Sequence, residues 1–167
     1  MTSNDNGDTA GLQKLAEEVL AAARARNVTL GSAESCTGGM IAATLTDIAG
    51  SSDVFVGGVV SYWAEVKEAV LGVDGKTIQE HGVVSSQVAE QMAEGASRVL
   101  SCDYAVSTTG IAGPGGAEPG KPVGTVWLGL KTPAGVKSEL ICADGDRSDV
   151  RRAAVKHALG MLMDALG

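Results

Sequence analysis

The sequence contains few aromatic residues and few of the cysteine and histidine side chains that ligate zinc. Phe, Tyr and Trp together make up 3% of its 167 residues, whereas proteins that bind single-stranded nucleic acid commonly stack the bases on aromatic rings. Its three cysteines form no Cys-x-x-Cys pair and are accompanied by only two histidines, so the sequence shows no zinc-ligand spacing. We therefore expect neither a nucleic-acid-binding protein nor a metal site.

Positive charge is also scarce. Lys and Arg number 13 against 20 Asp and Glu, which gives a formal net charge of −7 and a pI near 4.7. Without a block of basic residues, the chain offers no continuous attractive face to nucleic acid or to an anionic membrane. No apolar run approaches the roughly 18 residues of a membrane span, and the polar N-terminus lacks the features of a signal peptide. We expect a cytoplasmic protein with reduced thiols.

Glycine, by contrast, is abundant, with 23 residues. Between the glycine clusters, short β-branched and apolar stretches predict strands, and apolar residues three or four positions apart predict helices. The predicted strands cover 28–33, 54–62, 104–108, 123–130 and 136–142. The predicted helices cover 9–26, 37–48, 65–71, 86–100 and 148–166, the fourth capped by Ser85 or Ser86.

The order of these elements predicts the architecture. Helices and strands alternate at first, and the last two strands flank the turn sequence at 131–135, which is typical of an antiparallel hairpin. Gly57 and Gly58 inside the second strand indicate a bulge or a close backbone approach. We expect an α/β fold with three layers, α/β/α, around a mixed sheet that includes the hairpin. One domain covers 9–167, after a disordered tail at 1–8.

The segment A-E-S-C-T-G-G at 33–39 lies where a predicted strand turns into a predicted helix. Ser35 would project beyond the sheet there, and the first amides of the helix could hold a phosphate or an oxyanion. An ordinary helix cap by Ser35 or Thr37 is the alternative. Gly38 and Gly39 cost roughly 1 kcal/mol each in a helix relative to alanine, which favours a functional reason for the pair.

A second candidate segment is S-Y-W-A-E-V-K at 61–67. Tyr62 ends a predicted strand and Lys67 follows about one helical turn later, so both can reach one side of the strand end. A lysine removed from water loses its proton readily, and Lys67 could then act as a base for a hydroxyl nucleophile. The alternative is a solvated lysine on a helix face.

Two further segments could hold a substrate. The Gly- and Pro-rich stretch at 108–125 is typical of a loop that covers a substrate or cradles a phosphate, although it matches neither G-x-G-x-x-G nor a P-loop. Arg147 directly precedes the last predicted helix and could form paired hydrogen bonds with a phosphate. A surface ion pair of Arg147 with Asp144 or Asp149 is the alternative.

Five motifs occur along the chain in a characteristic order. They are A-E-S-C-T-G-G at 33–39, S-Y at 61–62 followed by Lys67, T-G-I-A-G-P at 109–114, K-P-V-G-T-V at 121–126 and G-D-R at 145–147. In combination they resemble the C-terminal domain family of the competence/damage-inducible protein CinA, and the resemblance covers nearly the whole chain, residues 10–165.

The resemblance implies an activity. Free-standing members of that family look like nicotinamide-nucleotide amidohydrolases, which hydrolyse the carboxamide of nicotinamide mononucleotide to nicotinate mononucleotide and ammonia in pyridine nucleotide salvage. It implies a covalent Ser-Lys mechanism without metal or other cofactor. The alternative is a noncatalytic CinA-type module that binds a pyridine nucleotide and signals through a partner. The expected ligand is a small-molecule nucleotide, and we expect a homo-oligomer, namely a dimer.

The resemblance also implies roles by position. Ser35 corresponds to the nucleophile, Lys67 to its base, and Tyr62 to a tyrosine that orients Lys67 or relays a proton to the leaving ammonia. Ala64 stands where the family usually has Asn, so a hydrogen bond from that Asn is lost. The remaining candidates are expected to bind the ribose phosphate, and they are Thr37, Gly38, Gly39, Thr109, Gly110 and Arg147.

The same resemblance places the nucleophile at Ser35 rather than at the adjacent Cys36, although a thiol near a helix N-terminus is the better nucleophile. Because the side chains of consecutive residues diverge, only one of the two can face the site. We expect Cys36 to pack against the sheet, since free cysteines are commonly buried.

Overall fold

A mixed sheet lies at the centre of the computed structural model, which describes residues 4–167, with side chains from residue 9 onward. Its strands are β1 (Leu30–Glu34), β2 (Phe55–Val60), β3 (Tyr104–Gly110), β4 (Thr125–Thr132) and β5 (Gly135–Cys142). Their spatial order is β2-β1-β3-β4-β5. β1 is parallel to β2 and to β3, whereas β4 is antiparallel to β3 and to β5.

Helices cover both faces of this sheet. They are α1 (Asn4–Arg26), α2 (Met40–Thr46), α3 (Ala64–Leu71), α4 (Gly75–His81), α5 (Ser86–Leu100) and α6 (Arg147–Leu166). On one face α1, α2 and α6 pack together, and on the other face α3 and α4 pack against α5. No helix within residues 4–167 is long and apolar enough to cross a membrane.

The central strands separate two apolar cores. Every residue of β1 is buried, and all of β3 except its last residue, because helices cover both faces of these strands. Along β3, Val106 faces the larger core beneath α1, α2 and α6, and Ala105 faces the smaller core beneath α5. The edge strand β5 contains no fully buried residue.

The predicted α/β/α arrangement with a mixed sheet and an antiparallel hairpin is confirmed. The irregularity predicted in the second strand is also present, since Leu30 and Gly31 pair with Phe55 and Gly57 and skip one residue of β2. Gly58 allows the close approach, because a Cβ there would lie 2.6 Å from Ser32 Oγ.

Some boundaries differ from the prediction. α1 begins at Asn4 rather than at residue 9, so residues 4–8 of the predicted tail are helical, and residues 1–3 lie outside the described part of the chain. α2 begins at Met40 rather than at residue 37. Gly38 and Gly39 have φ angles of 61° and 98°, a left-handed backbone that favours glycine and delays the helix.

The sequence pattern does not predict α4. Its seven residues lack the apolar periodicity that indicates a helix, and none of them is fully buried in the structure. A local cap supports α4 instead, since the Asp74 carboxylate accepts a hydrogen bond from the Lys76 N–H at 2.9 Å.

Candidate active site

Ser35 follows the last residue of β1, in the turn at 35–39 that leads into α2. Its backbone is held on both sides, because its N–H donates to the Thr108 carbonyl at 3.0 Å and its carbonyl accepts from the Gly38 N–H at 3.0 Å. The turn thus presents Ser35 at the carboxyl ends of the parallel strands, where ligands of open α/β sheets commonly bind.

Lys67 lies on α3, and its side chain reaches back to this turn. The Lys67 Nζ lies 2.9 Å from Ser35 Oγ, 2.6 Å from the Ser61 carbonyl oxygen and 3.4 Å from the Tyr62 carbonyl oxygen. A neutral amine has two hydrogens and one lone pair. If the two carbonyls accept the hydrogens, the lone pair is left for the Ser35 hydroxyl, which is the arrangement of a base and its nucleophile.

Burial disfavours the protonated form of Lys67. The residue Lys67 is 1% exposed, and this burial lowers the pKa of its amine from 10.5 to about 8. No carboxylate within residues 4–167 forms an ion pair with it to oppose this effect. A sizeable fraction of Lys67 is therefore neutral near physiological pH.

The first amides of α2 are occupied by a side chain of the protein itself. The Glu34 carboxylate accepts hydrogen bonds from the Gly39 and Ile41 N–H groups at 3.0 Å and from the Ala42 N–H at 2.9 Å. The Thr37 hydroxyl, fully buried, also donates to Glu34, at 2.7 Å. The amides at the start of α2 therefore point at Glu34 rather than at a substrate.

This geometry corrects three sequence predictions. Thr37, Gly38 and Gly39 were expected to bind the ribose phosphate, but Thr37 and Gly39 donate to Glu34, and the Gly38 N–H donates to the Ser35 carbonyl. None of the three lines the cleft beside Ser35. The sequence could not indicate this, because Glu34 looks like an ordinary polar residue next to the nucleophile.

One backbone amide in the turn could instead help to hold an oxyanion. Within the part of the chain that the structure describes, the Cys36 N–H donates to no other residue, and Cys36 lines the cleft beside Ser35. It directly follows the candidate nucleophile, and an amide in that position commonly contributes to an oxyanion hole at a strand-to-helix turn. The sequence prediction placed the oxyanion donors at the helix start and missed the Cys36 amide.

Tyr62 and Arg147 meet at the exposed side of the site. Arg147 donates one N–H to the Tyr62 hydroxyl at 3.0 Å and another to the Gly113 carbonyl at 2.9 Å. The alternative of a surface ion pair for Arg147 is wrong, because within the described chain its guanidinium donates to two neutral oxygens, and Asp149 pairs with Arg152 at 2.7 Å. Tyr62 contacts Lys67 through its carbonyl rather than through its hydroxyl.

A cleft of about 190 Å³ brings these groups together. Thr109 lies at its wall, and its hydroxyl donates its hydrogen to the Val83 carbonyl at 2.7 Å. Of the nine predicted site residues, six line the cleft. The full lining is Ser35, Cys36, Tyr62, Lys67, Val83, Val84, Thr109, Gly110, Ala112 and Arg147.

Cys36 is less suited to attack than Ser35. Its side chain is 6% exposed and belongs to the larger apolar core. Burial raises the pKa of its thiol to about 11, so the reactive thiolate is rare near physiological pH. Among the described residues, the wider groove between α1 and α6 and the one beside Thr9 and Met40 contain no hydroxyl or thiol beside a buried amine. The side chains described from residue 9 onward form no cluster of three or more His, Cys, Asp or Glu that could hold a metal.

The chain matches a known family along almost its entire length. Residues 12–166 match the family model described as the CinA C-terminal domain. The chain is 47% identical to nicotinamide-nucleotide amidohydrolase PncC of Escherichia coli K12 over 152 residues, which cover 90% of this chain and 92% of that protein. It is 43% identical to a putative competence-damage inducible protein of Thermoanaerobacter pseudethanolicus, which is longer, since the match covers 36% of it.

Solved structures agree with this match. Competence damage-inducible protein A from Klebsiella pneumoniae superposes with a TM-score of 0.90 at 36% identity, over 93% of this chain and 96% of that one. Competence/damage inducible protein CihA from Agrobacterium tumefaciens gives 0.89 at 43% identity, over 93% and 94% of the two chains.

Proposed function

The chain belongs to the CinA C-terminal domain family, and from that premise we propose that it hydrolyses the carboxamide of nicotinamide mononucleotide to nicotinate mononucleotide and ammonia. The similarity to PncC supports this activity. The observation that carries the mechanism is the 2.9 Å contact between Lys67 Nζ and Ser35 Oγ beside a cleft. This contact supports a Ser-Lys mechanism, because the Ser35 hydroxyl lies next to an amine that burial keeps partly neutral.

The first half of the reaction forms an ester. Lys67 takes the proton of Ser35 as the Ser35 Oγ bonds to the carboxamide carbon, and the Cys36 amide helps to stabilise the negative oxygen. The carbon–nitrogen bond then breaks, and the Lys67 ammonium returns its proton to the leaving nitrogen, so that ammonia departs.

The second half regenerates the enzyme. A water molecule gives a proton to Lys67 as its oxygen attacks the ester carbon, and the same amide helps to stabilise the new oxyanion. The ester bond breaks, Ser35 recovers a proton from Lys67, and the nicotinate product leaves as the acid. Each step uses groups of this chain and water.

Arg147 is the group we assign to the substrate phosphate. Within residues 4–167 its guanidinium pairs with no carboxylate, and it donates only to two neutral oxygens at the wall of the cleft. A guanidinium has five N–H donors in a planar fork that fits a phosphate. Since Tyr62 is 54% exposed, the phosphate would lie at the rim with the nicotinamide ring further inside.

The test is direct. The pure protein is incubated with nicotinamide mononucleotide, and ammonia and nicotinate mononucleotide are measured over time. The proposal expects the two products in equal amounts, and EDTA should not change the rate. Calorimetric binding of the nucleotide without release of ammonia would instead support the noncatalytic sensing module.

The expectations on location and assembly belong to the same proposal. We place the reaction in the cytoplasm, which is supported by three cysteines that are all free thiols. We also propose a homodimer, which is supported by apolar side chains exposed along and beyond the edge strand β2, among them Val60 at 51% and Trp63 at 71%. Light scattering of the purified protein gives its mass in solution and checks the second point.

A further inference from the structure

We infer that Glu34 is a positioning residue for Ser35, an inference that rests on the proposed function. Its buried carboxylate occupies the start of α2 as a built-in anion. By doing so it fixes the turn at 35–39, which carries the nucleophile and the Cys36 amide assigned to the oxyanion. Thr37, expected from the sequence to bind substrate, becomes part of this support.

The contacts of Glu34 span the whole turn. Glu34 is the last residue of β1 and is 1% exposed. One carboxylate oxygen accepts from the Thr37 hydroxyl at 2.7 Å and from the Gly39 and Ile41 N–H groups at 3.0 Å. The other accepts from the Ala42 N–H at 2.9 Å. The side chain therefore joins the beginning of the turn to its end.

This arrangement is unlike the other acidic helix caps of the chain. Asp74 and Asp146 are exposed, directly precede their helices, and accept from amides two or three residues ahead. Glu34 is buried, and Lys, Arg and His of the described chain form no ion pair with it. A buried carboxylate without a cation is expensive unless hydrogen bonds satisfy it.

A chain of hydroxyl groups extends the support to β3. The Thr37 hydroxyl has one hydrogen, and it goes to Glu34. The Thr108 hydroxyl must therefore be the donor in the 2.8 Å hydrogen bond between Thr108 and Thr37. Thr108 also accepts the Ser35 N–H through its carbonyl. The turn is thus tied to β3 at Ser35 and at Thr37, with Glu34 as the final acceptor.

The consequence for catalysis follows from these ties. If the carboxylate were lost, the donors of Gly39, Ile41 and Ala42 would need other acceptors, and the turn would rearrange. Displacement of reacting groups by about 1 Å can cost on the order of a hundredfold in rate. The loss should appear in kcat, because no group of this network touches the substrate.

The first experiment compares Glu34→Gln with wild type. Glutamine has the same shape but brings amide hydrogens towards backbone N–H groups, so at least one donor loses its acceptor. We expect kcat for nicotinamide mononucleotide to fall at least about tenfold with KM within about threefold. Asp74→Asn is the matched control, because it also neutralises a helix-capping carboxylate but lies away from the cleft, and it should keep wild-type kinetics.

The second experiment uses variants of Thr37. If Glu34→Gln does not fold, these variants still test whether the Glu34 network positions Ser35. Thr37→Val removes the hydroxyl and keeps the shape, and we expect kcat to fall about tenfold at unchanged KM. Thr37→Ser restores the hydroxyl and should restore kcat. A rise in KM at unchanged kcat for Thr37→Val would mean that this hydroxyl binds substrate and would overturn the inference.

A third readout does not depend on the substrate. The rate at which a small fluorophosphonate modifies Ser35, followed by intact-protein mass spectrometry, reports how well the turn holds its nucleophile. It should fall in Glu34→Gln and Thr37→Val and stay at the wild-type value in Asp74→Asn and Thr37→Ser. If the wild-type protein is modified rapidly but releases no ammonia, the proposed function fails. The labelling rates of the variants still test the role of Glu34 in that case. Wild-type labelling rates in Glu34→Gln and Thr37→Val would overturn the role of Glu34.

Discussion

The Ser35 Oγ and the Lys67 Nζ lie 2.9 Å apart, although 32 positions separate the two residues in the chain. Parallel pairing of β1 with β2 creates this contact. The pairing continues beyond the strands, since the Ser61 N–H donates to the Glu34 carbonyl at 2.9 Å. α3 starts shortly after β2 and returns Lys67 to the end of β1.

Removal of either member of this pair should stop the reaction. We expect Ser35→Ala and Lys67→Ala each to retain less than about a hundredth of wild-type kcat, because each removes half of the attacking unit. Circular dichroism should show an intact fold. Lys76→Ala, which changes an exposed lysine on α4, is the control and should be fully active. Retention of more than about a tenth of activity by either variant would contradict the pair.

The pH dependence should follow Lys67. Because burial lowers the pKa of this amine to about 8, the neutral base becomes more abundant as the pH rises through that value. We expect kcat/KM to increase from pH 6.5 to 8 and to level off above about 9. Rates measured in overlapping buffers of constant ionic strength provide the profile. A rate that is independent of pH across this range would argue against Lys67 as the base.

The substrate phosphate should matter through Arg147. We expect the nucleoside without phosphate to show kcat/KM at least about tenfold lower than the nucleotide, since remote groups help to position the reacting centre. Arg147→Lys should lower kcat/KM for the nucleotide and leave kcat/KM for the nucleoside almost unchanged, because lysine cannot form the paired hydrogen bonds of a guanidinium. Equal kcat/KM of the wild-type protein for both substrates would contradict the assignment of the substrate phosphate to Arg147.

The Tyr62 hydroxyl should affect binding more than proton transfer. It accepts from Arg147, whereas Lys67 contacts only the carbonyl of Tyr62. We therefore expect Tyr62→Phe to raise KM for the nucleotide by about threefold to tenfold and to keep the midpoint of the pH profile. A displaced midpoint with a normal KM would indicate instead that this hydroxyl relays a proton.

Cys36 should be dispensable for attack. Its burial and a thiol pKa raised to about 11 keep it as a neutral packing group. We expect Cys36→Ala to keep more than about half of wild-type activity, and iodoacetamide to leave wild type active. Complete inactivation by alkylation of Cys36 alone, together with activity in Ser35→Ala, would make sulfur the nucleophile.

The predictable parts of this molecule are those that local patterns determine. The β-branched stretches and the turn before β5 indicated the sheet and its hairpin, and the motifs around Ser35 and Lys67 indicated two side chains that lie in contact in the structure. The short helix α4 gave no signal, because it buries no side chain fully.

The position of Thr37 was unpredictable for a different reason. Its hydroxyl turns inward because Glu34 on one side and Thr108 on another strand both contact it. The contact of Arg147 with Tyr62 likewise joins residues 85 positions apart. Such directions depend on the packed fold and cannot be obtained from a motif.

The occupied start of α2 has a consequence for inhibitor design. A compound with a second anionic group aimed at that helix would meet the buried charge of Glu34 in place of free amides. Two points of the cleft remain open to negative charge, namely the Cys36 amide next to Ser35 and the guanidinium of Arg147 at the rim. A boronic acid on a nicotinamide-like ring should bond reversibly to Ser35 and use the first point. A phosphate or carboxylate at the distance of the ribose phosphate would use the second, so selectivity should depend on the length of the linker between the two.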